Sequence, residues 1–330
     1  MCSRVRAVFL LAVLSSVVLA DVACVRKVRT VNDNFYVINR KTSATKPPAG
    51  SDPVLAVANP QLSNSASEAL QTQANSGPRP KSLLSNVDIL EEENSRISSL
   101  LRTVQTGPAN APVHYQLGRA YHDFRLYDEA LRHYRNALQL EPDNPIYYEQ
   151  TGRLWRDWGS LQLGVDLVKR ALELDPGFVE AWNTLGTIFD RQGNSELAQD
   201  AYSHALSLNQ DLDYVLNNLC FSYLQSGNVQ QAIRHGVRAI HLNPALLVAH
   251  NNLGIAYGML GEFDRSLEEF TQSGDEAAAR NNLGVMLLRR GQTEESMEQF
   301  KLAARMRPYY KEAAANYRRA RDLSFQRARE

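Results

Sequence analysis

Small and apolar residues recur at helical spacing through the second two-thirds of the chain, and the whole pattern repeats at a fixed step. Small residues stand at Gly118, Gly152, Gly186, Cys220 and Gly254, 34 residues apart each time, and the series resumes at Gly284 after a shorter step of 30. Three residues after the glycine of the Leu-Gly pairs at Leu117, Leu185, Leu253 and Leu283 come Tyr121, Phe189, Tyr257 and Leu287. Twelve after the small position comes a second small residue, at Ala130, Gly164, Ala198, Ala232, Ser266 and Ser296. Four further on a bulky one follows, at Tyr134, Val168, Tyr202, Phe270 and Phe300, a series that Gly236 interrupts. A third small column (Ala137, Ala171, Ala205, Ala239, Ser273, Ala303) precedes prolines at Pro142, Pro176, Pro244 and Pro308.

The pattern predicts pairs of helices, A and B, joined into hairpins. Minimal side chains where A crosses B let the backbones approach to normal helix-packing distance, and the bulky column fills the space between crossings. Proline ends each helix B because it lacks a donor and restricts the residue before it. A hairpin alone leaves an apolar face wet, so the units must stack to bury a continuous core. These positions resemble the tetratricopeptide repeat. The resemblance implies an all-α, right-handed superhelical solenoid of about six helix-turn-helix repeats with a C-terminal capping helix. The repeats run at about 111 to 144, 145 to 178, 179 to 212, 213 to 246, 247 to 276 and 277 to 310. The step of 30 places a deletion in helix B and the turn of the fifth unit. Residues 84–107 read as an N-terminal helix or half-repeat and 311–330 as the capping helix.

Tetratricopeptide proteins hold extended peptides or partner helices on the inner face of helix A, so that face supplies the candidate site. Two residues before the glycine register stand Gln116, Gln150, Thr184, Asn218, Asn252 and Asn282. A ladder of carboxamides can donate to and accept from a peptide backbone without demanding particular side chains. It resembles the asparagine ladder of the repeat domain in O-linked N-acetylglucosamine transferases. The alternative is that these are repeat residues making local bonds. One and four residues after the register, the lining changes from Arg119, His122, Arg153 and Arg156 to the apolar Phe221, Leu224, Ile255, Val285 and Leu288. The last three units are therefore the candidate partner site. The clamp that heat-shock chaperone adaptors use differs, because Arg119 and Arg153 stand where that mode needs Asn.

Residues 1–23 have a basic start (Arg4, Arg6), an apolar run from Ala7 to Leu19 and small residues after it, the plan of a secretory signal peptide. The run is too short for a hydrocarbon core that needs about 20 residues. Two endings remain open: cleavage after Ala20, or lipid attachment at Cys24, although Asp21 stands where a lipoprotein signal wants an apolar residue. Residues 24–83, rich in Ser, Asn, Ala, Pro and Gln, read as a disordered tether.

Charge and chemistry narrow the function without naming it. With 36 basic and 36 acidic residues, the formal net charge is zero and no nucleic-acid footprint exists. Cys220 takes the small position of the fourth unit, which points to packing. The seven histidines show no metal-ligand spacing, phosphate-binding glycine loops are absent, and neither cofactor nor metal is expected. Glu91-Glu92-Glu93 and Arg318-Arg319-Ala320-Arg321 read as solvated helix faces. Trp158 is either a packing residue or an exposed anchor. Signal, tether and six repeats with a short fifth unit followed by Ala279-Arg280-Asn281-Asn282-Leu283-Gly284 resemble TadD-type proteins of tight-adherence pilus loci. They are also similar to pilotin-type tetratricopeptide lipoproteins. That resemblance implies a non-catalytic periplasmic adaptor, attached to the outer membrane, with a secretin as partner. A general periplasmic scaffold for cell-wall or polysaccharide machinery is the alternative.

Overall fold

Small residues at the crossings and bulky ones between them give every helix one face that must be covered, and the chain covers it with the next helix. A computed structural model describes Glu91 and residues 94–327 of the chain. Residues 1–23, 24–83 and the candidate lipidation position Cys24 lie outside the described residues. The helices are α1 (Ser95–Thr106), α2 (Ala111–Asp123), α3 (Tyr127–Leu140), α4 (Pro145–Trp158), α5 (Leu161–Leu174), α6 (Val179–Gln192) and α7 (Ser195–Leu208). They continue with α8 (Asp213–Gln225), α9 (Val229–Leu242), α10 (Leu247–Leu260), α11 (Phe263–Ser273), α12 (Glu276–Arg289), α13 (Thr293–Met306) and α14 (Lys311–Arg327). The fold class is the expected one: consecutive helical hairpins, with no strand among the described residues. The chain divides into two compact units, one ending at Ile188 and the other beginning at Phe189.

In the unit that ends at Ile188, a core of Leu117, Tyr121, Ala130, Tyr134, Trp155 and Leu167 joins α2 to α5, and Ile97 of α1 is buried against it. Trp158 is a packing residue. It is 8 % exposed and stacks on Trp155 and Tyr127, with ring centroids 5.0 and 5.8 Å apart. Asn110 and Asn144 cap α2 and α4 by accepting from the backbone N–H groups of Val113 and Ile146.

In the unit from Phe189 onward, the crossings show why the first column is small. A Cβ added to Gly254 meets Phe270 Cδ1 at 2.5 Å, and one added to Gly284 meets Phe300 Cε1 at 2.6 Å. The fourth hairpin reverses the arrangement. Cys220 stands on α8 where the glycine is expected, and Gly236 stands on α9 where the bulky residue is expected. A Cβ on Gly236 would lie 3.1 Å from Cys220 Sγ and 2.9 Å from Leu253. Gly236 therefore does not break the pattern, since the space that α8 gives up is returned by α9. Helix α11 has eleven residues where every other helix B has fourteen, so the deletion shortens it. Asp275 replaces the proline turn, capping α12 through the Ala278 N–H and pairing with Arg307.

A further column closes each helix A. Gly159, Gly193, Gly227, Gly261 and Gly291 all have φ between 79° and 101°, the left-handed region in which a side chain is strained. They stand seven residues after the first small column, and in the first hairpin Arg125 takes the same place at φ 61°.

Candidate protein-binding faces

The A-helix face from α8 to α14 is held by asparagines that bond to one another. Asn252 Nδ2 donates to Asn217 Oδ1 at 2.9 Å, and both residues are buried. Asn282 Nδ2 donates to Asn251 Oδ1 at 3.4 Å, and Asn316 Nδ2 to Asn281 Oδ1 at 3.0 Å. The rule is positional: the residue two before the register donates to the residue three before it in the preceding repeat. The column expected to meet a peptide thus uses amide donors on its own neighbour. The acceptor column (Asn217, Asn251, Asn281) is visible in the sequence as the first residue of the three Asn-Asn pairs at 217, 251 and 281, but its role as acceptor emerges only when the helices stack.

The structure separates the candidate residues by exposure. Asn218 and Asn252 are buried, whereas Asn282 is half-buried. Val285 is buried in a cluster with Phe300 and Ala320, and so packs α12 against α13 and α14. Leu288 packs at the edge of that cluster, and Ile255 at the edge of another built around Phe270 and Met286. Phe221, Leu224, Ile255 and Leu288 are all half-buried and keep part of their apolar surface in contact with water.

In the unit that ends at Ile188, the same columns carry charge. Glu149, three before its register, is 1 % exposed and accepts from Thr184 Oγ1 at 2.5 Å and from Gln150 Nε2 at 2.8 Å. Thr184 stands in the donor column, so Thr184 and Glu149 repeat the geometry of Asn252 and Asn217 with different chemistry. Burial pushes the Glu149 carboxyl up from the ordinary value, while Arg153, Thr184 and Arg156 act against that. Arg156, 2 % exposed, donates from Nε and Nη2 to Asp157 at 3.0 and 3.1 Å and from Nη1 to Thr187 Oγ1 at 2.9 Å. Asp157 also meets His122 Nε2 at 3.2 Å. A buried guanidinium needs such partners, because taking its charge out of water costs several kcal/mol.

Two other buried groups are titratable. Asp190 is 8 % exposed and accepts from Tyr202 OH at 2.9 Å. Burial raises its carboxyl to about 7, opposed by hydrogen bonds from Ser222 and Tyr202. Burial pushes the Cys220 thiol up to about 12, which leaves it an unreactive packing group. Among the described residues, no group of three or more His, Cys, Asp and Glu side chains could hold a metal ion, and no helix is long and apolar enough to cross a membrane.

Tetratricopeptide repeat family models match residues 111–144, 167–200 and 277–307. No curated protein matches the chain. Among solved structures, the chain is similar to the Cut9-Hcn1 hetero-tetramer of the APC/C, at 19 % identity and a TM-score of 0.57 over 69 % of this chain. The match spans 46 % of that chain, less than half its length. It is also similar to a tetratricopeptide repeat protein from Parabacteroides merdae, at 18 % identity and a TM-score of 0.52, covering 70 % of this chain and 94 % of that one. A third is Pseudomonas aeruginosa pilF, at 18 % identity and a TM-score of 0.51, covering 62 % and 95 %. At these identities the likeness is one of fold. Three matched repeats and an unbroken array of helical hairpins support a tetratricopeptide repeat protein.

Proposed function

We propose that this chain is a non-catalytic adaptor of the bacterial envelope that seats a segment of a partner protein on the A-helix face of α8, α10 and α12. The observation that carries this reading is the row of half-buried apolar side chains, Phe221, Leu224, Ile255 and Leu288, beside a bonded row of asparagines. The asparagines hold the helices in register, and the apolar row supplies surface that a partner can remove from water. Each Å² of apolar area so buried contributes about 25 cal/mol, against which the cost of immobilising the partner must be set, so such side chains would act as anchors within a larger contact. Asn282, half-buried, keeps one amide hydrogen for a peptide carbonyl.

The envelope setting rests on the signal-peptide plan of residues 1–23, with outer-membrane attachment if Cys24 is acylated. The resemblance to TadD-type and pilotin-type proteins favours a secretin, or another component of pilus or secretion assembly, as the partner. Photo-crosslinking from benzoylphenylalanine placed at Leu224 and at Ile255, in cells, tests both parts. A secretin-sized adduct at these positions but not at exposed Lys169 supports the reading. Adducts with cell-wall or polysaccharide enzymes would move it to a general periplasmic scaffold. Equal labelling at Lys169 would remove the A-helix face as the site.

A further inference from the structure

The last helix breaks the repeat rule at the position that matters most for continuing the array. The 34-residue step taken from Gly284 lands on residue 318, and the bond from Asn316 to Asn281 places α14 in the register of a helix A. In the preceding hairpins that position is small because helix B of the same unit crosses there, as Phe300 does over Gly284. Here it is Arg318, exposed to water. A helix crossing α14 there would meet the Arg318 side chain instead of a small residue.

What remains is a groove of about 380 Å³ between α13 and α14. Its floor is apolar, formed by the half-buried Ala304 and Ala314 over the fully buried Phe300, with Tyr317 at one side. Its rim is cationic: Lys301, Arg305 and Arg318. Lys301 Nζ lies 5.7 Å from the Tyr317 ring centroid and has only a long contact, 3.7 Å, with Glu298. Arg305 and Arg318 form no ion pair among the described residues. Residues 301–330 carry nine Lys and Arg against three Asp and Glu, although the chain as a whole is neutral. Burial, and after it the charge of Arg319, lowers the pKa of the Arg289 guanidinium, whose Nη2 is buried without a hydrogen-bond partner. Arg307 pairs with Asp275 and Arg321 with Asp322, whereas the groove cations Arg305 and Arg318 stand without an ion pair among the described residues and Lys301 has only the long one, so like charge is concentrated at the groove, where an anionic partner would offset it.

We propose that this groove docks an acidic segment of a partner protein, with apolar side chains on the Ala304 and Ala314 floor and carboxylates against Lys301, Arg305 and Arg318. The occupant is anionic because the rim is wholly cationic. It is a protein segment because the floor is apolar and has the volume of a few side chains, whereas a nucleic-acid surface would need a longer track of cations. The site is separate from the A-helix face of α8, α10 and α12, so either can fail without the other.

Fluorescence anisotropy with the full chain tests it. The probes are a labelled peptide of Glu, Asp and Leu, its amide counterpart with Gln and Asn in place of every carboxylate, phosphatidylglycerol vesicles and an oligothymidylate. The acidic peptide should bind, more weakly as salt rises, and the amide peptide should not. Arg305→Glu with Arg318→Glu should weaken binding about tenfold or more, and Ala304→Trp should do so by filling the floor without changing charge. Leu224→Asp should leave this binding as it is. Circular dichroism and melting of each variant confirm folding. Equal binding of both peptides, undiminished binding by the folded double variant, or a preference for vesicles or oligonucleotide would each overturn the proposal.

Discussion

Replacing Gly254 with Ala should loosen the fifth hairpin, and a second change on the facing helix should tighten it again. The added methyl carbon would stand 2.5, 2.7 and 2.9 Å from Phe270 Cδ1, Cε1 and Cγ, where about 3.4 Å is the ordinary lower range. The ring cannot simply turn away, because Phe270 is 1 % exposed and held by Ala279, Leu283, Met286 and Leu287. Overpacking of this kind costs about 1–3 kcal/mol. Against it, Gly→Ala inside a helix contributes about 1 kcal/mol of stabilisation through backbone entropy. The methyl overlaps three atoms of a fixed ring, which puts the clash in the upper half of that range, about 2–3 kcal/mol, and leaves a net loss of about 1–2 kcal/mol.

Phe270→Leu alone should also destabilise, by removing buried ring atoms. Together the two should cost less than their sum, by about 1–2 kcal/mol, because the smaller side chain vacates the space that the methyl needs. The fourth hairpin already contains such an exchange, with Cys220 facing Gly236. Thermal and urea unfolding of the wild type, both single variants and the double variant give the coupling. Hydrogen exchange should show the loss in α10, α11 and α12 before more distant helices, since each unit contacts only its neighbours. A Gly254→Ala protein as stable as wild type, or strict additivity, would mean that the glycine column does not exist to admit the facing ring.

Three other outcomes follow from single contacts. Asn252→Ala should cost about 1–3 kcal/mol in urea unfolding by leaving buried Asn217 Oδ1 without a donor, and Asn252→Asp should be worse than Asn217→Asp, which keeps the acceptor. Asp190 has a folded value near 7 against about 3.9 in the unfolded chain, so the folded state binds its proton more tightly. Stability should therefore be greatest on the acid side, fall as pH rises from about 4 to about 7, by at most about 1.4 kcal/mol per unit, and level off above; melting against pH should be flatter in Asp190→Asn. Arg125→Gly should raise the melting temperature, because a side chain at φ 61° costs about 1 kcal/mol that glycine avoids.

The hairpins were legible in the sequence because their determinants are local and repeat: a small residue at each crossing, a bulky one facing it and a proline beyond. Their physical meaning could be checked one unit at a time, and where the fourth unit departed from the rule, Gly236 looked like a fault. It reads as an exchange only once α8 and α9 are side by side, since its partner Cys220 is sixteen residues away and on another helix. The left-handed glycines seven residues after the register were equally periodic. Their role depends on the backbone angle of the turn, which residue type alone does not fix.

The candidate site was less legible for a related reason. The column of Asn218, Asn252 and Asn282 is visible in the chain, but its bonding depends on a second column one position earlier in the preceding hairpin, and that pairing is set by stacking. Thr184 on Glu149 and Asn252 on Asn217 occupy one geometry while differing in charge and in kind. A conserved-looking residue type therefore does not define the position; the donor-to-acceptor step does. The 34-residue register step taken from Gly284 reaches Arg318, where a reading of charge alone finds a solvated helix face. Position supplies the missing term: the register that is small at the other crossings carries a cation here, beside a groove that is both apolar and charged.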